Sequence, residues 1–297
     1  MAQVTLPQMQ QDAFGATARK DAWWFGPLLT FLGLLAFVIY ATVRAFMGDY
    51  FEIRENRAEF TGPAVAPYLS PFYSPLLYDK SSHHAWTHAD RPSWWPGGLP
   101  FSSALLILGG PVLFRFTCYY YRNAYYRAFW LDPPACGVGE PRKTYWGERY
   151  FPLILQNVHR YTLYIATAFL IFLWYDALVA FWWPTDRGGV LHEGYGQFGI
   201  GVGTLIMVAN VILLTGFTFG CNSMRHLVGG RLDCFSCPAR NGHFDATPRL
   251  RYRLWLRVNK LNLNHMQWAW LSLFSVGFTD FYIWMCSKGA LIDVRLL

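Results

Sequence analysis

The chain has 297 residues, of which 54% are hydrophobic, 19% aromatic and 14% charged, against roughly 25% charged in ordinary soluble domains. That balance excludes a disordered chain, which needs low hydrophobicity and high charge. Because the apolar residues fall in runs, it also argues against a soluble enzyme. A net charge of +7 does not imply nucleic acid, since excess Lys and Arg in a membrane protein mainly set topology.

A membrane-spanning helix needs about 20 mostly apolar residues. Five stretches qualify: Trp24–Phe46, Pro100–Tyr121, Tyr161–Trp183, Phe198–Gly220 and Met266–Met285. Barrel strands would be about half as long and would alternate; these do not, so helices are expected. The expected fold is an all-α integral membrane protein of five spans, one membrane domain covering 1–297. Arg19 and Lys20 precede the first stretch, which lacks a clear small-residue cleavage site and reads as an uncleaved helix. Gly109-Gly110-Pro111 interrupts the second, and Arg115 sits inside it.

Between these spans lie aromatic and basic loops. The loop 47–99 is rich in Pro, Tyr and Trp, including Trp94-Trp95-Pro96-Gly97-Gly98, and is expected to cap one face. The loop 122–160 continues the aromatic, basic run that begins at Tyr119 and reads as an interfacial helix, followed by a turn at Pro133-Pro134-Ala135-Cys136-Gly137. The loop 221–265 is strongly basic. Segments 1–23, 122–160 and 221–265 together carry 16 Lys and Arg; 47–99, 184–197 and 286–297 carry 7. The first set is therefore expected in the cytoplasm, with the N-terminus inside and the C-terminus outside the cell membrane. A basic inner face suits anionic lipid headgroups or a docked soluble partner.

Cys and His collect on that same side. Cys118, Cys136, Cys221, Cys234 and Cys237 lie there, as do His159, His226, His243 and His265. His159 opens the third span, His265 opens the fifth and Cys221 closes the fourth. A compact bundle would bring these ends together at one depth. Cytoplasmic thiols stay reduced, and reduced Cys mixed with His is a metal-ligand composition. Three sites are open: a Rieske-type [2Fe–2S] centre on two Cys and two His, haem b between facing His159 and His265, and zinc on Cys234, Cys237 and His243. Against all three stands plain packing of small thiols and interfacial imidazoles. His83, His84, His88 and His192 read as solvated loop residues.

Asp176 and Asp280 are acids inside apolar runs, where they usually face a partner, water or the bundle interior. They suggest a proton path from the outside to a redox centre, or an ion pair with a group such as Arg44.

Four blocks carry a family likeness: Pro133-Pro134-Ala135-Cys136, Gln156-Asn157-Val158-His159-Arg160-Tyr161, Gly220-Cys221 with Arg225-His226-Leu227, and Leu263-Asn264-His265-Met266-Gln267. In order and layout they resemble the membrane anchor of a respiratory complex II, a succinate dehydrogenase of the actinobacterial single-anchor type, over residues 20–290. The resemblance implies a complex in which a flavoprotein oxidises succinate, an iron–sulfur subunit carries the electrons, and the anchor passes them to quinone without binding succinate itself. It also implies a membrane-embedded Rieske-type cluster in place of haem b. Cys136 and Cys221 would be thiolate ligands, with two of His159, His226 and His265 as imidazole ligands. Related members carry His and Cys at the positions of Asn222 and Met224; this chain lacks both, which shifts weight to Cys136 and His159. Cys234 and Cys237 fall outside the likeness.

A quinone needs an apolar cavity near the interface with polar groups for its carbonyls. Trp23, Trp24, Tyr145, Tyr150, Arg160 and Arg225 are candidates by position. A haem-bearing anchor is one rival reading. A metal or small-solute transporter lined by Asp176, Asp280 and Arg115 is another, although no paired internal repeat, common in transporters, is evident.

Overall fold

Apolar runs, with no water to satisfy their backbones, close their hydrogen bonds internally, and the structure is built of helices accordingly. The computed structural model describes residues 13–53, 67–82, 84–144, 147–151, 153–186, 191–230 and 246–297. In chain order these contain α1 (Phe25–Met47), α2 (Ser103–Ile107), α3 (Gly109–Thr117), α4 (Tyr119–Tyr125), α5 (His159–Val179), a hairpin of β1 (Trp182–Asp186) and β2 (Leu191–Phe198), α6 (Val202–Phe219), α7 (Asn222–Gly229), α8 (Ala246–Leu263) and α9 (His265–Ser287). A π-helical turn at Tyr126–Trp130 extends α4, and a 3-10 turn at Leu153–Val158 leads into α5.

Four helical stretches are long and apolar enough to cross a bilayer: Phe25–Met47, Leu153–Val179, Val202–Phe219 and His265–Ser287. At about 1.5 Å per residue, each is commensurate with a hydrocarbon core about 30 Å thick. The stretch at 100–121, expected as a span interrupted at Gly109-Gly110-Pro111, is divided there. Leu108 separates α2 from α3, and the backbone turns extended at Cys118 (φ −65°, ψ 129°). Pro111 explains the restart at Gly109: it sits in the first turn of α3, where its missing N–H costs no hydrogen bond. Gly110 then lets α3 lie against α5, because a Cβ there would stand 2.8 Å from Ile165 Cγ2.

Helix directions follow from which ends meet. The start of α5 meets the end of α6 through His159 and Cys221. The start of α9 meets the end of α3 through His265 and Cys118. The end of α1 meets the upper half of α9 through Arg44 and Asp280. Helices α1, α5 and α9 thus run one way, and α3 and α6 the other. One end of the bundle carries the imidazoles and thiols. At the other end Phe51, Leu69, Phe72, Tyr73 and Leu76 pack against Ala45 of α1 and Ala104 of α2.

The segment between α5 and α6, read from sequence only as a loop, forms the β1–β2 hairpin. Trp182 pairs with Phe198, their rings edge-to-face at 5.9 Å, the kind of cross-strand aromatic pair that holds a short hairpin. Helices α6 and α9 pack closely because position 216 is glycine: a Cβ there would lie 2.6 Å from Trp268.

Candidate functional site

Two thiols and two imidazoles meet at the end where α5 and α9 begin. Each is delivered by a helix boundary. Cys118 occupies the extended residue between α3 and α4. Cys221 caps α7, its sulfur accepting the Ser223 N–H at 3.3 Å. His159 and His265 are the first residues of α5 and α9. Cys118, Cys221 and His159 are each 2% exposed, and His265 is half-buried.

They form two thiol–imidazole pairs. His159 Nε2 lies 3.0 Å from Cys221 Sγ, and His265 Nε2 lies 3.4 Å from Cys118 Sγ. Phe114 stacks on His159 with ring centroids 4.9 Å apart, and Phe217 stacks on His265 at 5.2 Å. The two phenyl rings touch edge-to-face at 5.5 Å. The pairs therefore belong to one aromatic-walled group, within the core cluster that also holds Tyr121, Leu163 and Leu273.

The second nitrogens differ. His159 Nδ1 lies 2.8 Å from Thr117 Oγ1, whose hydroxyl donates to the Leu113 carbonyl at 2.8 Å. That leaves the threonine oxygen to accept from Nδ1–H, so Nε2 presents its lone pair towards Cys221. A ring nitrogen fixed in this way is how proteins orient metal-binding imidazoles. His265 Nδ1 is buried with no hydrogen-bond partner among the described residues, a costly condition for a polar atom. Burial pushes the Cys221 thiol above its ordinary value, so ligation as thiolate would release a proton.

Among the described residues, no three His, Cys, Asp or Glu converge tightly enough to hold a single metal ion. By type alone, two thiols and two imidazoles are the donors of a Rieske-type binuclear centre. As they stand, thiol faces imidazole in both pairs; a Rieske-type arrangement would require both thiols to turn to one iron and both imidazoles to the other.

The other candidates lie elsewhere. Cys136 is exposed on a turn tied to the N-terminal segment, where Arg19 Nη1 donates to its carbonyl at 2.9 Å and Thr17 to the Gly137 carbonyl. His226 is exposed on α7. Arg225 reaches Asn262 Oδ1 at 2.9 Å and stands over the Trp255 ring. Arg160 is exposed in the first turn of α5; Trp24 and Tyr150 are 51% and 61% exposed, and Trp23 is half-buried. Cys234, Cys237, His243, His83 and Tyr145 lie outside the described residues.

Cys118 is the donor that sequence reasoning named but left out of its ligand set. Its signal was present: it is the cysteine at the end of the broken second span, at the depth where the other donors collect.

At the far end, Asp280 is fully engaged. Arg44 Nε reaches it at 2.7 Å, Arg44 Nη2 at 3.2 Å and the Tyr40 hydroxyl at 2.5 Å, with Ser70 Oγ a further donor. The ion pair with Arg44 is thus present. Asp176, on α5, takes a hydrogen bond from Ser74 Oγ.

The family model for the actinobacterial succinate dehydrogenase subunit SdhC matches residues 25–289. Among solved structures, a chain of the Mycobacterium smegmatis Sdh1 complex in the apo form is similar at 42% identity and a TM-score of 0.73, the alignment covering 95% of this chain and 94% of that one. No curated protein sequence matches. A family match over most of the length, together with four apolar helices of spanning length, leads to one conclusion: the chain belongs to the actinobacterial SdhC family, the membrane-anchor subunits of succinate dehydrogenase.

Proposed function

We propose that this anchor relays electrons from a soluble iron–sulfur partner to membrane quinone, and that Cys118, Cys221, His159 and His265 hold a Rieske-type [2Fe–2S] cluster. The observation that carries the reading is the meeting of two buried thiols and two imidazoles, from four separate chain segments, at one end of the bundle. When bound, such a cluster supplies one-electron transfer at a potential raised by its imidazole ligands, which suits a quinone acceptor. The chain's own residues do the rest. Thr117 holds the His159 tautomer. Phe114 and Phe217 wall the group and exclude water. Arg115 bonds Tyr121 at 2.7 Å and Ser272 at 3.0 Å, and stands over Phe217, placing a fixed positive charge beside it.

By the bias of Lys and Arg, this end faces the cytoplasm. On α8, Arg253, Arg257 and Lys260 are exposed at helical spacing and offer a basic row to an acidic surface of the iron–sulfur subunit, which in turn would carry the flavoprotein. Arg251 belongs to the scaffold instead, donating to the Val228 and Gly230 carbonyls. Arg160, next to His159 in the chain, and Tyr150, Trp23 and Trp24 are the candidate quinone residues of this reading. Haem b between His159 and His265 fits less well, since the touching Phe114 and Phe217 rings occupy the space beside both imidazoles.

Iron analysis and electron paramagnetic resonance of the purified protein with its partner subunits test the reading. Changing Cys118, Cys221, His159 or His265 to Ala should each abolish a low-field Rieske signal. Retention of that signal in Cys118→Ala, or its loss in Cys136→Ala, would overturn the ligand set. A reduced b-type haem band would overturn the cluster altogether.

A further inference from the structure

The two acids inside the spans have different surroundings. Around Asp280, donors approach both carboxylate oxygens: Arg44 and Tyr40 on Oδ2, Arg44 and Ser70 on Oδ1. Arg44 is in turn held by the Asp49 and Tyr50 carbonyls and the Trp284 ring. Nothing there can exchange a proton without breaking a buried ion pair. Asp176 is different. An ionised carboxylate can accept about four hydrogen bonds, yet Ser74 Oγ is its one hydrogen-bond donor among the described residues.

Beside Asp176 lies a cavity of about 230 Å³, walled by Ser74, His84, Trp86, Phe172 and Tyr175. At about 30 Å³ per molecule, that is room for several waters. On its inner side Asp176 borders a second, smaller void walled by Asn210 and Thr279. From there polar groups continue along α9 towards the thiol–imidazole end: Ser275 Oγ donates to Asn210 Oδ1 at 3.1 Å, and Ser272 Oγ accepts from Arg115. An acid placed between a water-sized cavity and a polar row can be neutral when the cavity is acidic and charged when water solvates it, because burial of an unpaired charge is costly.

We infer that Asp176 is a proton-exchange site, reached from the medium through this cavity at the end of the bundle opposite the thiols and imidazoles. The step is formation of an O–H bond on one carboxylate oxygen from a proton carried by cavity water, and its reverse; no electron moves. The groups facing Asp176 leave it free to do this. The covering loop presents His84, and α5 itself presents Tyr175. Helix α6 lines the smaller void with Met207, Asn210 and Val211, none of them charged. From α9 come Thr279 and, one residue on, Asp280, whose charge Arg44 already balances. The role of such a site in quinone chemistry rests on the electron-transfer reading above; its existence does not.

The test is labelling with dicyclohexylcarbodiimide, which attacks protonated carboxyls in apolar surroundings, in membranes carrying the full chain, read by peptide mass spectrometry. Asp176 should be modified at acid pH, with labelling falling at least about tenfold at alkaline pH as the acid ionises, while Asp280 stays unmodified throughout. Asp176→Asn should accumulate normally and take up no label at that position; if the variant fails to accumulate, the pH profile of the unaltered chain decides. An unlabelled Asp176, a label independent of pH, equal labelling of Asp280, or protection by sodium ions at constant pH would each overturn the proposal. Labelling needs neither iron nor quinone. Loss of the Rieske assignment with labelling intact would sink the redox reading alone, and absent labelling with the cluster intact would sink this one alone.

Discussion

At the capped end, Asp280 is met by Arg44 at 2.7 and 3.2 Å and by Tyr40 at 2.5 Å, with aromatic rings and backbone carbonyls closing around the guanidinium. At the opposite end, His265 Nδ1 is buried without a hydrogen-bond partner among the described residues, and the two thiols face imidazoles at 3.0 and 3.4 Å. Both ends bury polar groups in a bundle meant for lipid, where an unsatisfied group costs most. The first end satisfies its groups from within the chain and behaves as structure. The second holds soft, good ligands in reserve, which is the condition expected of a site completed by something the chain does not itself provide.

The comparison is broken most directly by removing a thiol. Cys221→Ala or Cys118→Ala should strip essentially all iron from this end while the chain still accumulates in the membrane, because small buried side chains are being exchanged for another small one. Arg44→Ala should do the reverse. It leaves Asp280 as a buried uncompensated charge, and destabilisation of about 3–5 kcal/mol is expected, read as loss of the folded anchor in detergent unfolding before any effect on iron. Should Arg44→Ala prove harmless, the capped end is not the structural clamp described here.

Smaller changes sharpen the contrast. Gly216→Val puts a side chain where a Cβ would already stand 2.6 Å from Trp268; forcing α6 from α9 should cost about 1–3 kcal/mol and, since Cys221 follows the end of α6, should broaden the signal of the proposed cluster as well. Thr117→Val removes the acceptor that sets the His159 tautomer. A cost of about 1 kcal/mol is expected, with a shifted signal rather than a lost one, and an unchanged spectrum would deny Thr117 that role. Cys136→Ala, on its exposed turn, should change stability by no more than about 0.5 kcal/mol and leave iron content alone.

Much of this architecture could be read along the chain. The long apolar runs became helices Phe25–Met47, Leu153–Val179, Val202–Phe219 and His265–Ser287, and the aromatic loop packed over one end. His159, His265 and Cys221 were visible as donors at span ends because a helix boundary marks membrane depth. The second span is the weakest in sequence, because Gly109-Gly110-Pro111 interrupts it, and in the structure it is divided between α2 and α3 at that place. Its end, Cys118, is the buried cysteine beside His265, whereas Cys136, named as a ligand from the resemblance, lies exposed. Both cysteines precede or follow aromatic basic stretches, and nothing local distinguishes one that turns inward from one on an exposed turn.

Composition and hydropathy by themselves determined that this is a helical membrane protein with thiols and imidazoles placed at the ends of its apolar runs, because transfer into lipid depends on the residues of each segment and little on its neighbours. Only the tertiary structure decided that Cys118 rather than Cys136 faces His265, that Asp280 is clamped while Asp176 borders a cavity, and that α3 begins afresh at Gly109. Those outcomes depend on contacts between segments up to 240 residues apart, and such contacts are set by packing shape, which no single stretch of chain encodes.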